Sequence, residues 1–236
     1  MGRQWLQKKR EINAAKRGKL YGRLAREIAI AAKSGLPDPA MNPRLAVTVE
    51  AARKAAVPND VIARAIKKGA GLLDEKVEVQ LVTFEGFAPH NVPVIIECMT
   101  DNQKRTAPEM RALFKKGQLG AKVSFLFHHL GIIEATHEGA GLDIEAAAIE
   151  ANAQDVEPLE EVAEGQTGAR FFTDLPDLDA VTKSLREAGW SVTASEMGYI
   201  PREPMDLPPE QRKEVEEFLE AIDDQDDVHR IHTALR

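Results

Sequence analysis

Apolar residues recur at helical spacing through the first third of the chain and change to strand-like alternation after Gly71. Between Lys19 and Lys33, Leu20, Leu24 and Ile28 lie four apart, the spacing of one helix face, and Gly35 is placed to end the run. The pattern predicts a second helix from Asn42, whose side chain can cap free backbone N–H groups while Pro43 takes the first helical position. Its apolar face is Leu45, Val49 and Ala52. Pro58 interrupts the chain, and a third helix with Val61, Ile62, Ala65 and Ile66 inward runs to Gly69-Ala70-Gly71.

Further on, Val77, Val79 and Leu81 alternate with Glu78 and Gln80, as in a half-buried strand, and Val92 to Thr100 reads as its partner. Thr106-Ala107-Pro108-Glu109 has the form of a capping box, with Thr106 as cap, ahead of a helix carrying Met110, Leu113 and Phe114 that Gly117 ends. Val123 to Phe127 is read as a third strand. Gly131 to Ala135, Asp143 to Asn152, Val156 to Val162, Ala169 to Thr173, Asp177 to Ala188 and Ser191 to Met197 then spell β-α-β-β-α-β, the order of a ferredoxin-like unit. Pro201, Pro204, Pro208 and Pro209 mark a linker; a helix with Val215, Phe218, Leu219 and Ile222 inward and a last strand from Val228 to Leu235 follow. The predicted fold class is α+β. A helical N-terminal domain, 1–75, precedes two α/β domains of ferredoxin-like sandwich type: one discontinuous, 76–130 plus 204–236, and one inserted within it, 131–203.

Charge sharpens this picture, because a net charge of −7 conceals a steep gradient. Residues 1–70 carry 16 Lys and Arg against 5 Asp and Glu, or +11, whereas residues 137–236 carry 8 against 25, or −17. At about 100° per residue, Lys16, Lys19, Arg23, Arg26 and Lys33 share one narrow helix sector, apart from the apolar sector of Leu20, Leu24, Ile28 and Ala31. Arg17 adds to this charge, and Lys8, Lys9 and Arg10 extend it toward the N-terminus. Arg44, Arg53 and Lys54, with Arg64, Lys67 and Lys68, add to it from the other helices. A charge run on one helix is ordinarily a solvated face. An excess spread over three helices is the footprint of a polyanion partner, whose phosphates release counterions when neutralised. Only Trp5 and Tyr21 offer aromatic surface in this third, so phosphate contacts dominate over base reading, and DNA and ribosomal RNA both remain open as targets.

Other chemistries find little support. No stretch approaches the roughly 18 apolar residues of a membrane span, and no secretory or myristoylation signal opens the chain, so a cytoplasmic protein without a membrane partner is expected. Cys98, the single cysteine, lies in an apolar run and reads as a small core residue. The phosphate-binding loop, the dinucleotide glycine turn and the serine nucleophile elbow are all missing, which argues against an enzyme and against a small-molecule substrate or cofactor. His128-His129 and His229-x-x-His232 lack further ligands at metal spacing and are read as strand and surface residues. Asp223, Asp224, Asp226 and Asp227 lack the glycine and glutamate of a calcium loop and are read as a solvated helix end.

Several stretches resemble the YebC/PmpR family, which includes a mitochondrial translational activator of cytochrome c oxidase. They are Ala15-Lys16-Arg17-Gly18-Lys19, Asn42-Pro43-Arg44-Leu45, Pro58-Asn59-Asp60-Val61-Ile62, Phe84-Glu85-Gly86-Phe87, Glu97-Cys98-Met99-Thr100-Asp101-Asn102, Arg105-Thr106 and Asp226-Asp227-Val228. The likeness spans nearly the whole chain. It implies a helical domain and two α/β domains, and a role in DNA-binding transcriptional regulation or in ribosome-associated translation, including relief of stalling at proline runs. It also makes Asp101, Asn102, Arg105 and Thr106 a candidate contact loop. The chain departs from the family where Gly2-Arg3-Gln4-Trp5 replaces a longer Gly-His-Ser-Lys-Trp segment, and where Ala88-Pro89-His90-Asn91 replaces a glycine-rich turn. Three function classes follow: transcriptional regulator, translation factor gripping ribosomal RNA, and protein-protein adaptor with its basic face on acidic partners.

Overall fold

The computed structural model describes residues 4–73, 79–160 and 162–236, with the side chains of the first helix described from residue 17 onward. The first helix, α1 (Gln4–Ser34), is twice as long as its apolar repeat predicts. It packs on α2 (Pro43–Lys54) and α3 (Asn59–Gly69). Asn42 caps α2 as expected, its Oδ1 accepting from the Leu45 N–H at 3.0 Å, while its Nδ2 donates to the Ala31 and Leu36 carbonyls. Leu24, Ile28, Leu45, Val49, Ala52, Ile62 and Ala65 form the bundle core. Leu20, expected inward, is instead 44% exposed. At 1.5 Å per residue α1 is roughly 46 Å long and its two partners under about 20 Å each, so they cannot cover all of it.

The next sheet has the order β3-β1-β2-β8, from β1 (Gln80–Ala88), β2 (Val92–Thr100), β3 (Gln118–Leu119) and β8 (Val228–Thr233). Val77 and Glu78 of the predicted first strand lie outside the described residues; β1 starts at Gln80 and runs to Ala88, because its pairing with β2 extends from Ala88↔Val92 to Gln80↔Thr100. The connection that departs from the glycine-rich family pattern places His90 and Asn91 at φ 61° and 60°, left-handed backbone in which His and Asn are enriched among non-glycine residues. Every residue of β2 is buried. On one face Val92, Val94, Ile96 and Cys98 meet Met110 and Phe114 at the end of α4 (Gln103–Leu113), and Val215, Phe218 and Ile222 of α7 (Pro209–Asp223). On the other, Ile95 packs with Val123, Phe127 and Ala234.

Residues 123–126 do not form the predicted strand, and only Phe127 is extended, as the first residue of the next strand. The Glu85 carboxylate accepts the N–H groups of Val123 and Ser124, both at 2.9 Å, and holds a 3-10 turn over Ser124–Leu126. The second sheet is β5-β6-β4-β7, built from β4 (Phe127–Glu138), β5 (Asp155–Pro158), β6 (Gln166–Thr173) and β7 (Ser191–Pro201). With α5 (Ile144–Ala151) and α6 (Leu178–Glu187) on one face, all pairs antiparallel and the first strand central, it is the ferredoxin-like arrangement that the element order predicts. Ile133, Ala135, Phe171, Leu185 and Trp190 fill its core, which Val47 of α2 also joins. The proline-rich linker begins inside β7, and β8 closes the first sheet by pairing antiparallel with β2. Among the described residues no helix is long and apolar enough to cross a membrane.

Gly69 ends α3 where it crosses α1 so closely that a Cβ would lie 2.1 Å from the Ala29 carbonyl oxygen. Gly69→Ala should therefore lower stability by about 1–3 kcal/mol, the usual cost of overpacking, despite alanine's higher helix propensity. Urea unfolding measures this directly. An unchanged midpoint would mean that the crossing gives way without cost.

Candidate nucleic-acid interface

Of the basic sector predicted on α1, the structure brings Lys19, Arg23 and Arg26 together on one face, turned onto the chain's own acidic end. Lys19 Nζ reaches the backbone carbonyls of Asp223 at 3.3 Å and Asp224 at 2.7 Å, where α7 ends. These are the last carbonyls of a helix, which lack intrahelical donors and carry the negative end of its dipole, so a lysine there acts as a cap. One turn along α1, Arg23 pairs with the Asp223 carboxylate at 3.2 Å, and Arg26 donates to the Asp226 carbonyl. Glu27 follows, 3.3 Å from His229 Nδ1 on β8. Lys19, Arg23, Arg26 and Glu27 thus share one helix face, joined to the end of α7, the turn after it and β8. The partly exposed ion pair of Arg23 with Asp223 contributes about 0.2–1 kcal/mol.

The other predicted cations lie elsewhere. Arg17, Lys33, Arg53 and Lys54 are exposed, the last two in the final turn of α2. Arg44 is half-buried and lines a cavity of about 150 Å³ where α1 and α2 meet β2, β7 and β8; its Nε has no hydrogen-bond partner among the described residues. Lys8, Lys9, Arg10 and Lys16 are on α1, with side chains outside the described residues. A groove between α1 and α3 brings Arg26 together with Arg64 and Lys68. Arg64 and Lys68, named above only as part of the charge excess, lie one helical turn apart and so share a face of α3.

The candidate contact loop has a different structure from the predicted capping box. The cap of α4 is Asn102, whose Oδ1 accepts from the Arg105 N–H at 3.3 Å, and Thr106 lies inside the helix, fully buried. Its hydroxyl donates to Asp227 Oδ2 at 2.7 Å. The Thr100 hydroxyl donates to the same oxygen at 3.1 Å, and the Arg105 guanidinium bridges both carboxylate oxygens at 3.1 and 3.2 Å. Burial raises the Asp227 pKa, but the hydrogen bonds from Thr106, Arg105 and Thr100 outweigh it and hold the carboxyl below its ordinary value. Asp227 is only 4% exposed, so the reading of the whole acidic run as a solvated helix end holds for Asp223, Asp224 and Asp226 but not for the residue that anchors them. Arg105, Asp227 and Arg26 line one cleft of about 550 Å³, which brings the contact loop and the basic helix together around the acidic turn.

The histidines read as surface residues divide into two groups. His128 and His129 are exposed on β4, while on β8 His229 is buried and His232 pairs with buried Glu97 at 3.0 Å. Among the described residues no three metal-ligating side chains gather at one point. Cys98 is buried, and burial, with Asp227 and Glu97 nearby, pushes its thiol up to about 12.

A basic three-helix bundle docked on two antiparallel α/β sheets, the second carried between strands of the first, defines a recognisable class of protein. Residues 2–72 match the family described as the TACO1/YebC protein N-terminal domain, and residues 79–235 match the TACO1/YebC second and third domain. The chain belongs to the TACO1/YebC family. A relative from Pseudomonas syringae pv. syringae, named "Probable transcriptional regulatory protein", is 51% identical over 100% of this chain and 99% of its own. One of the same name from a Polaromonas species is 52% identical, again over 100% of this chain and 99% of its own. The crystal structure of a conserved hypothetical protein from Aquifex aeolicus shares the fold with a TM-score of 0.80 at 35% identity, covering 94% of this chain and 91% of that one.

The Asp227 cradle sets two expectations. Thr106→Val keeps the shape but removes a hydrogen bond to a buried charge, and should cost about 1.5–3 kcal/mol. Thr106→Asp, harmless for a true cap, should cost more, because it sets a second carboxylate against Asp227. Because the folded pKa is depressed, the carboxylate's contribution is present above its unfolded value near 4 and is lost as pH falls through the folded value. The stability gap between the wild type and Asp227→Asn should therefore narrow below about pH 4 in chemical denaturation. A gap independent of pH would rule out the ionised cradle.

Proposed function

We propose that this protein is a nucleic-acid-binding regulator of gene expression, a transcriptional regulator rather than an enzyme, that holds DNA through the cations of its helical bundle. The observation that carries the reading is the concentration of positive charge on α1, α2 and α3 against an acidic remainder. The names of the Pseudomonas and Polaromonas relatives support the regulatory part. On this reading the bundle and the two sheet-based units are three domains, divided near residues 75, 130 and 203. The bundle supplies affinity, while the acidic units supply solubility and keep polyanions on one side of the molecule.

Arg53 and Lys54 provide a clean test, since they are exposed on α2 and take no part in the contacts with the acidic turn. Each phosphate contact on a duplex contributes a fall of about 0.9 in log K per decade of salt. Arg53→Glu with Lys54→Glu should weaken duplex binding at least several-fold and lower the salt slope by about two, with the fold intact by circular dichroism. Unchanged affinity in the folded variant would overturn the reading. A preference above about a hundredfold for intact ribosomes over naked duplexes would move the target to ribosomal RNA.

A further inference from the structure

We propose that the acidic turn 223–227 is a built-in phosphate mimic that occupies the basic face of α1, so that nucleic acid must displace it to reach Lys19, Arg23 and Arg26. The inference rests on the proposed role of that face in binding nucleic acid, and adds how access to it is regulated.

Three observations carry it. The turn meets the three cations with the kinds of atom a nucleic-acid backbone would present. Backbone oxygens of Asp223, Asp224 and Asp226 lie against Lys19 and Arg26, and the Asp223 carboxylate lies against Arg23. The turn is also held from behind, independently of α1. The Asp227 carboxylate is fixed by Thr100, Thr106 and Arg105, and Gln225 Oε1 accepts the N–H groups of Asp227 and Val228 at 2.7 and 3.0 Å. It therefore keeps its shape when α1 leaves. Finally, the contacts to α1 are the weak kind: the side chains of Asp223 and Asp224 remain 59% and 90% exposed, where solvent screens them. A polyanion offering many phosphates can outcompete such a contact, whereas an isolated anion cannot. The turn thus raises the threshold for binding without closing the site, and favours long or densely charged targets over short ones.

The test compares three full-length proteins binding one labelled DNA duplex in a salt series. Asp223→Asn with Asp224→Asn and Asp226→Asn removes the carboxylates that face Lys19 and Arg23 and lowers the negative potential of the turn at Arg26, while its backbone oxygens and the Asp227 cradle stay in place. Glu210→Gln with Glu216→Gln and Glu217→Gln removes the same charge from the exposed surface of α7. The first variant should bind at least fivefold more tightly than the second. Equal gains would mean that bulk charge alone is at work, and would overturn the proposal. As a second measurement, Lys19→Cys with Asp224→Cys is joined by a short bismaleimide, Cys98 being buried and poorly reactive. Joining should lower affinity at least fivefold relative to the same variant capped with a monofunctional maleimide; no change would overturn the mimic. If the turn variants match wild type while Arg53→Glu with Lys54→Glu loses binding, the proposed function stands and the mimic falls. If no variant binds the duplex at low salt, both fall.

Discussion

One buried carboxylate holds together the parts of this molecule that matter most. Asp227 lies where α7 ends and β8 begins, and its oxygens are gripped by two threonine hydroxyls and one guanidinium from β2 and α4. A buried charge without partners is among the most costly groups a protein can contain, and one fully hydrogen-bonded in this way confines its neighbours to a single arrangement. Its own backbone carbonyl accepts from the Met99 N–H at 2.8 Å, which sets where β8 starts along β2. The last strand, the end of α7 and the turn between them are therefore positioned by the same contact.

The charge distribution then takes on a geometric meaning. Opposite charges far apart in sequence are brought together along the length of α1, and the bundle is docked at two places. Its α1 face meets the acidic turn, and α2 meets the second α/β unit through Val47, which joins that unit's core, and an ion pair from Glu50 to Arg186 of α6 at 3.0 Å. The cavity at this junction has an apolar lining that includes Ile30, Val47, Leu81 and Met99, into which Arg44, Arg230, Glu27, Glu97 and Glu196 bring charges of both signs. Of the two docking places, the exposed contacts of α1 with the acidic turn are the ones that salt screens, whereas the charges enclosed in the cavity are screened much less.

Much of the architecture was legible because its signals are local. Asn42-Pro43 announces a helix start within two residues, and the β-α-β-β-α-β order and the strand Val92–Thr100 follow from periodicity alone. Leu20 was misread because α1 outruns its partners; two other misreadings share a different cause, which is a distant partner. Thr106 carries a local capping pattern, but its hydroxyl goes to a residue 121 positions away. The Val123 segment has strand-like composition, but Glu85, 38 positions earlier, turns it. The basic sector of α1 was visible in the spacing of its lysines and arginines. Its cover was not, since the Lys19 contacts span 204 and 205 positions and nothing in a helical repeat specifies what lies across from it.

The threading of the chain has a consequence for its birth. The first sheet is completed only when β8 reaches β2, and the contact between His232 and Glu97 closes a span of 135 residues. The cationic helices end at Gly69, whereas the residues that cover α1 in the finished fold begin at Asp223. At roughly 5–20 residues per second, a ribosome needs about 8–30 s to make the intervening chain. Throughout that interval the nascent protein holds Lys19, Arg23 and Arg26 without their acidic cover beside the ribosome's own RNA, and it acquires that cover only as synthesis ends.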